Sequence, residues 1–185
     1  VGESWSEEKQ RNPARDFLKA GTRGHVDLPR LKEGGVTCQT MALFTDTARI
    51  TEATEWTWKL LEAVEKIWSK TGEFVPARCA ADIRAAKAQG KVAGMLAIEG
   101  GEAIGDQNGG LGRLAAFYDR GVRLLTLTWS RRNALGRGVT IEGSDGLTEF
   151  GREVVSRMEE LGMIVDASHL SDEALLDLLS VAKEP

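Results

Sequence analysis

The sequence predicts an α/β fold built on a parallel sheet, and three short stretches carry that prediction. Val92 to Glu99 (VAGMLAIE), Val122 to Thr128 (VRLLTLT) and Met163 to Ser168 (MIVDAS) are apolar runs of strand length. Near-continuous apolar runs alternating with amphipathic helices are the mark of parallel strands buried on both faces. Each run delivers a chemically distinct side chain: Glu99 at the end of the first, Trp129 after the second and His169 after the third. Parallel α/β folds build their sites at those carboxyl ends.

The bulk properties set limits. The chain has 185 residues, 42% hydrophobic and 28% charged, enough for one globular domain spanning 1–185. Its net charge is −4 and the two signs are interleaved, so there is no basic stripe and nucleic acid is a poor partner. No run reaches the length of a membrane-spanning helix, and no signal-peptide pattern opens the chain. Two cysteines, Cys38 and Cys79, are too few for a disulfide framework. They are expected as buried thiols and lack a neighbouring Cys or His at zinc-ligand spacing.

Taken in order, the chain opens with a polar stretch that offers only a helical turn near Ala14 to Ala20. His25-Val26-Asp27 follows, an H-x-D triplet that on a strand would aim both side chains at one metal. No apolar run precedes it, and Pro29 favours an extended Leu28, so a loop is the better reading. Val36 to Phe44 reads as a strand. Thr51 to Lys70 reads as a helix with Trp56, Leu60, Val64, Ile67 and Trp68 at three- and four-residue steps, closed by Gly72. At that spacing Trp56 and Trp58 are core rather than an aromatic box. Phe74-Val75 is a short strand, and Ala80 to Gln89 a short helix stopped by Gly90. After the VAGMLAIE strand, Leu111 to Arg120 is a helix, and VRLLTLT leads into a long polar loop, Trp129 to Asp145. Leu147 to Leu161 is a helix with an apolar face of Phe150, Val154, Val155, Met158 and Leu161. Ser171 caps the last helix, whose first turn carries Asp172 and Glu173 at the positive end of its dipole.

The strand tips suggest chemistry. Glu99 alone reads equally as a general base, a metal ligand or a helix cap. His169 alone is an ordinary histidine. Together, at the ends of parallel strands aimed at one crevice, they are a carboxylate–imidazole set suited to zinc, which makes bound water nucleophilic near neutral pH. Asp166 either orients that imidazole or is a carboxylate paired with backbone donors. The glycines between Gly100 and Gly112 lack the Gly-Lys-Ser/Thr and G-x-G-x-x-G patterns of phosphate loops.

Four stretches, AIEGGEAI (97–104), GVRLLTLTWSRRN (121–133), GLTEFGREVV (146–155) and LGMIVDASHLS (161–171), resemble the membrane dipeptidase (renal dipeptidase) family of metallopeptidases, and GHVDLPRLKEGGV (24–36) resembles a further block. The resemblance implies a (β/α)8 barrel of the amidohydrolase type, here incomplete, with about five of its eight units. It implies two zinc ions and hydrolysis of dipeptides by a metal-bound hydroxide. It makes Glu99 the catalytic carboxylate that bridges the metals and His169 a ligand of one of them. Asn133 becomes a recurring loop residue at the site, grouped with Trp129 as substrate-binding. His25 and Asp27 match a segment other than the family's H-x-D metal pair. That pair would precede Val1, and a second histidine ligand would follow Pro185. Trp129 stands where dipeptidases carry a substrate-contacting histidine; an indole offers one N–H and a flat apolar face instead. The isolated 185 residues are accordingly expected to be inactive. The rival expectations are a non-catalytic truncated barrel, which its open strand edges would incline to self-association, and an amidohydrolase acting on a non-peptide amide.

Overall fold

Asp27 sets the first element. The structure, a computed structural model, describes residues 16–183 apart from Arg23. The Asp27 carboxylate accepts from the Arg30 backbone N–H (3.0 Å) and Nε (2.7 Å) and from Gly21 N–H (3.0 Å), capping helix α1 (Leu28–Glu33). Leu28 is therefore helical rather than extended: the cap outweighs the pre-proline bias, and Pro29 in the first turn sacrifices no intrahelical bond. With its carboxylate so occupied and His25 exposed, the triplet forms no ligand pair. Of the helical turn expected at Ala14 to Ala20, positions 14 and 15 lie outside the described residues, and 16–19 form a single turn closed by the Lys19 N–H to the Asp16 carbonyl (3.0 Å).

Strand β1 (Cys38–Phe44) is followed by a 3-10 turn (Thr47–Glu52) and helix α2 (Ala53–Trp68). The helix expected over Thr51 to Lys70 is thus α2, and its first two expected positions belong to the preceding 3-10 turn, which Asp46 caps through Ala48 N–H (2.9 Å). Then come β2 (Phe74–Pro76), α3 (Ala80–Ala88), β3 (Val92–Glu99), α4 (Gly110–Asp119), β4 (Val122–Thr126), α5 (Glu149–Leu161), β5 (Ile164–Asp166) and α6 (Asp172–Val181). All strand pairs are parallel, in the order β1-β3-β4-β5, with β2 pairing only the start of β3.

The two faces of the sheet differ. Leu43, Leu96, Ile98 and Leu125 join Leu61 and Val64 of α2, Leu114 and Phe117 of α4, Val154, Val155 and Met158 of α5, and Leu178 of α6 in one core cluster. Trp58 belongs there too, stacked on Phe117 at 4.2 Å between centroids, whereas Trp56 lies under the Arg49 guanidinium at 4.1 Å. The opposite face carries Thr40, Ala42, Ala97 and Leu124, which line a cleft of about 200 Å³. A small alanine cluster (Ala77, Ala86 and Ala93, with Cys38 and Ile83 against it) closes the strands' N-terminal end. A doubly wound sheet buries both faces under helices. Covered on one side and open to a cleft on the other, this sheet is the wall of an incomplete (β/α) barrel.

Two expectations fail on burial. β5 is not a buried strand: Ile164 is 51% exposed and pairing is to β4 alone among the described residues. Cys79 is exposed at the N-cap of α3, and Cys38 is only half-buried; both are free thiols, and burial pushes the Cys38 thiol above its usual value.

Candidate metal centre

Register creates the centre. Phe44 pairs with Glu99, Glu99 with Thr126, and Thr126 with Asp166, so four neighbouring strands end on one row of residues. Residues level with one another on adjacent parallel strands share a face. Glu99, Thr126 and Asp166 accordingly line the open cleft, with Ser168 and His169 just beyond.

His169 reaches the row by an unusual backbone. Its φ is 66°, and it is the one non-glycine residue with positive φ among those described. Histidine tolerates this left-handed region better than most residues, yet such conformations persist only where surroundings impose them. Here the His169 carbonyl accepts from Val139 N–H (2.9 Å) and Thr128 Oγ1 (3.5 Å). The result is that His169 Nε2 stands 3.7 Å from Glu99 Oε1, with both side chains about a third exposed.

That separation is too long for a hydrogen bond but suits a shared cation. Two ligands of one tetrahedral zinc, each at about 2.1 Å, lie roughly 3.4 Å apart. A carboxylate oxygen and an imidazole nitrogen are also the donor types zinc takes. The pair therefore fits the metal as two of its ligands. Among the described residues no group of three or more His, Cys, Asp or Glu side chains converges, and Glu99 and His169 are the two donors that face each other in the cleft.

Asp166 is held beside it. Thr126 Oγ1 donates to Oδ2 (2.6 Å), while Ser168 N–H (3.0 Å) and Oγ (2.7 Å) both donate to Oδ1. Burial alone would raise this carboxyl; the three hydrogen bonds, helped by the nearby His169, outweigh it and hold the group below its usual value. Asp166 thus stays charged within the field of the imidazole. On the other flank, the Trp129 ring lies 6.1 Å from the His169 ring and meets Phe44 edge-on at 5.2 Å.

A cleft at the carboxyl ends of the parallel strands thus brings Glu99 and His169 together. The pattern described as Membrane dipeptidase (Peptidase family M19) matches residues 4–185. The chain belongs to this family. It is similar to the crystal structure of dipeptidase AC, a metallopeptidase: 30% identity, TM-score 0.85, covering 97% of this chain and 58% of that one. It is similar also to a metallopeptidase from Rhodobacter sphaeroides liganded with a phosphinate mimic of the dipeptide L-Ala-D-Ala, at 28% identity and TM-score 0.86, covering 97% and 60%. An amidohydrolase from Pseudomonas aeruginosa matches at 28% identity and TM-score 0.76, covering 85% and 46%. The chain thus spans less than two thirds of the length of each.

The glycines of the membrane dipeptidase motifs now have a physical reason. Gly100 turns the chain out of β3 with φ 96°. Gly101 has no room for a side chain: a Cβ there would sit 2.4 Å from Leu135 Cδ1 and 2.7 Å from the Leu127 carbonyl oxygen. Gly151 on α5 is tighter still, with a Cβ only 2.0 Å from the Leu135 carbonyl oxygen. Leu135, fully buried, is therefore a wedge between two glycines, and it pins the long loop after β4 against the barrel wall. Asn133 shapes that loop: its Nδ2 donates to the Leu127 carbonyl (2.9 Å), and its Oδ1 accepts from Leu135 N–H (2.8 Å). With both amide ends engaged, Asn133 reaches the site through the loop's shape.

Three contributors escaped sequence reasoning. Thr126 looks like an ordinary strand residue, and only register sets it against Asp166. Glu102, after the two glycines, is a half-buried carboxyl; burial raises it, partly offset by its own backbone N–H and the Asn133 amide. Arg137, 4% exposed, donates to the Asp145 (2.7 Å) and Ile141 (2.6 Å) carbonyls and pairs with Glu173, tying the loop to α6. In the sequence only its place between two glycines, Gly136 and Gly138, marked it out.

Proposed function

We propose that the chain is the central part of a zinc-dependent dipeptidase, in which Glu99 bridges two zinc ions and His169 holds one of them. The observation that carries this reading is the 3.7 Å approach of Glu99 Oε1 to His169 Nε2 at the strand tips of a membrane dipeptidase family member. When bound, zinc supplies a water that ionises near neutral pH and a Lewis acid for the peptide carbonyl. The protein's own contribution is positioning. Glu99 presents its carboxylate from the end of a strand buried on its covered face, a rigid support. The left-handed turn and the Val139 and Thr128 bonds fix the His169 backbone. Asp166, kept anionic by Thr126 and Ser168, favours a particular imidazole orientation electrostatically. Trp129 bounds the substrate side with an apolar face and a single N–H donor, and Asn133 holds the loop that carries it.

Two donors do not make a zinc site, which takes three or four. The 185 residues alone bind zinc weakly and turn over no dipeptide. The test is hydrolysis of a dipeptide panel by the full-length protein, with zinc added and after chelation. Zinc-dependent release of free amino acids is expected. Absence of turnover on every dipeptide, with zinc bound, would remove the reading.

A further inference from the structure

The row of strand ends has a chemical gradient. At the β5 end stand Thr126 and Asp166, polar and charged; at the β1 end stands Phe44, level with Glu99. Phe44 is only half-buried, and its ring is met edge-on by Trp129 at 5.2 Å. Trp129 in turn lies 6.1 Å from the His169 ring. Edge-on aromatic packing fixes ring positions that two separate rings would otherwise sample, so these side chains form a preformed surface. Among the described residues, the arginines that stand over aromatic rings lie on Trp56, Trp58 and Tyr118, and none is over Phe44 or Trp129.

We propose that Phe44, together with Trp129, is the specificity wall of the site, and that the preferred substrates are dipeptides carrying an apolar side chain on one of the two residues flanking the scissile amide. The proposal rests on the dipeptidase reading and narrows it. A group bound between Glu99 and His169 lies beside Phe44 by register and beside Trp129 by ring distance, so one flank of the substrate meets hydrocarbon. An apolar side chain there leaves water for a matching surface, whereas a carboxylate there is desolvated without a partner.

The experiment measures kcat/KM of the full-length zinc-loaded protein on Gly-Gly, Leu-Gly, Gly-Leu, Asp-Gly and Gly-Asp, for wild type, Phe44→Ala and Phe44→Leu. The expected result is that one of the two leucine substrates exceeds Gly-Gly by roughly tenfold or more, the range set by adding methylenes to an apolar pocket. Phe44→Ala lowers that ratio by roughly tenfold, mostly through KM, and Phe44→Leu restores most of it. A ratio unchanged in Phe44→Ala while all substrates slow alike would make Phe44 merely structural and overturn the proposal, as would a wild-type preference for aspartate or for neither leucine substrate. If wild type hydrolyses none of the five, the dipeptidase reading itself fails and the wall falls with it.

Discussion

Two glycine-to-alanine substitutions should move stability in opposite directions, and the structure says by how much. Gly151 and Gly112 both lie on helices, at ordinary backbone angles. A Cβ at Gly112 meets nothing within 4 Å, so Gly112→Ala gains mainly by restricting the unfolded chain, about 0.4–1 kcal/mol. A Cβ at Gly151 would sit 2.0 Å from the Leu135 carbonyl oxygen, where ordinary contact begins near 3.4 Å. The obstacle is backbone, so loop and helix must separate by more than an ångström. That overpacking costs about 1–3 kcal/mol. It also loosens the bonds that Thr148 N–H (2.9 Å) and Oγ1 (3.3 Å) donate to the same carbonyl, adding up to about 1 kcal/mol for each one lost. At about 2–4 °C per kcal/mol for a chain of this size, Gly151→Ala should melt roughly 2–20 °C below wild type and Gly112→Ala about 1–4 °C above it. Thermal unfolding followed by circular dichroism is the assay. A Gly151→Ala midpoint within a degree of wild type, or a shift of both variants in one direction, would refute the claim that Leu135 is wedged against α5.

Other consequences can be checked alongside. Thr126→Val removes the 2.6 Å bond to Asp166; since water reaches that carboxylate, the loss should fall at the lower end of the about 1.5–3 kcal/mol usual for hydrogen bonds to charged groups. Asp166 is held below its ordinary 3.8, so its stabilising contribution is present above that value and is lost as pH falls. The Thr126→Val protein should therefore lose less stability on acidification than wild type, as denaturant unfolding across acid pH would show; equal losses would mean the bond is not depressing the Asp166 value. Glu102 has the opposite sign: its folded value is raised above 4.5, so stability declines as pH rises through the window above that point. Glu102→Gln should flatten that decline, read as the difference in melting midpoint between weakly acid and neutral pH, and an unchanged slope would show that Glu102 does not titrate there. Arg137→Met frees two loop carbonyls and leaves Glu173 without its partner; proteolytic cleavage between Trp129 and Asp145 should accelerate severalfold, and cleavage at the wild-type rate would assign the loop's order elsewhere.

What could be read from sequence was what depends on local pattern. β3, with its apolar run, its terminal Glu99 and its paired glycines, was legible because burial, charge and turn chemistry agree within ten residues. So was α5, whose apolar stripe survives in its buried face. Short-range competition hid the rest. Pro29 argued for an extended segment, and a side-chain cap three residues from Arg30 overrode it. β5 looked buried because Met163, Ile164 and Val165 are apolar, yet apolar residues lie on an edge strand as readily as in a core until the neighbouring strand is known. The meeting of Glu99 and His169 at the strand tips could be anticipated, since parallel strands point the same way. The row running from Phe44 to Asp166 could not, because register between strands far apart in sequence is set by tertiary packing, which periodicity does not encode. For the same reason Gly151 looked like a helix-weakening residue rather than a seat for the Leu135 backbone.

Everything functional in this account depends on Glu99 and His169 sharing a cation. The most direct measurement is the zinc content of the full-length protein, by elemental analysis, for wild type, Glu99→Ala and His169→Ala, each confirmed folded by circular dichroism. Tightly held zinc is expected in wild type and its loss in both variants, with the larger loss in Glu99→Ala under the proposal that this carboxylate serves two ions. Zinc retained at the wild-type level in both folded variants would contradict it.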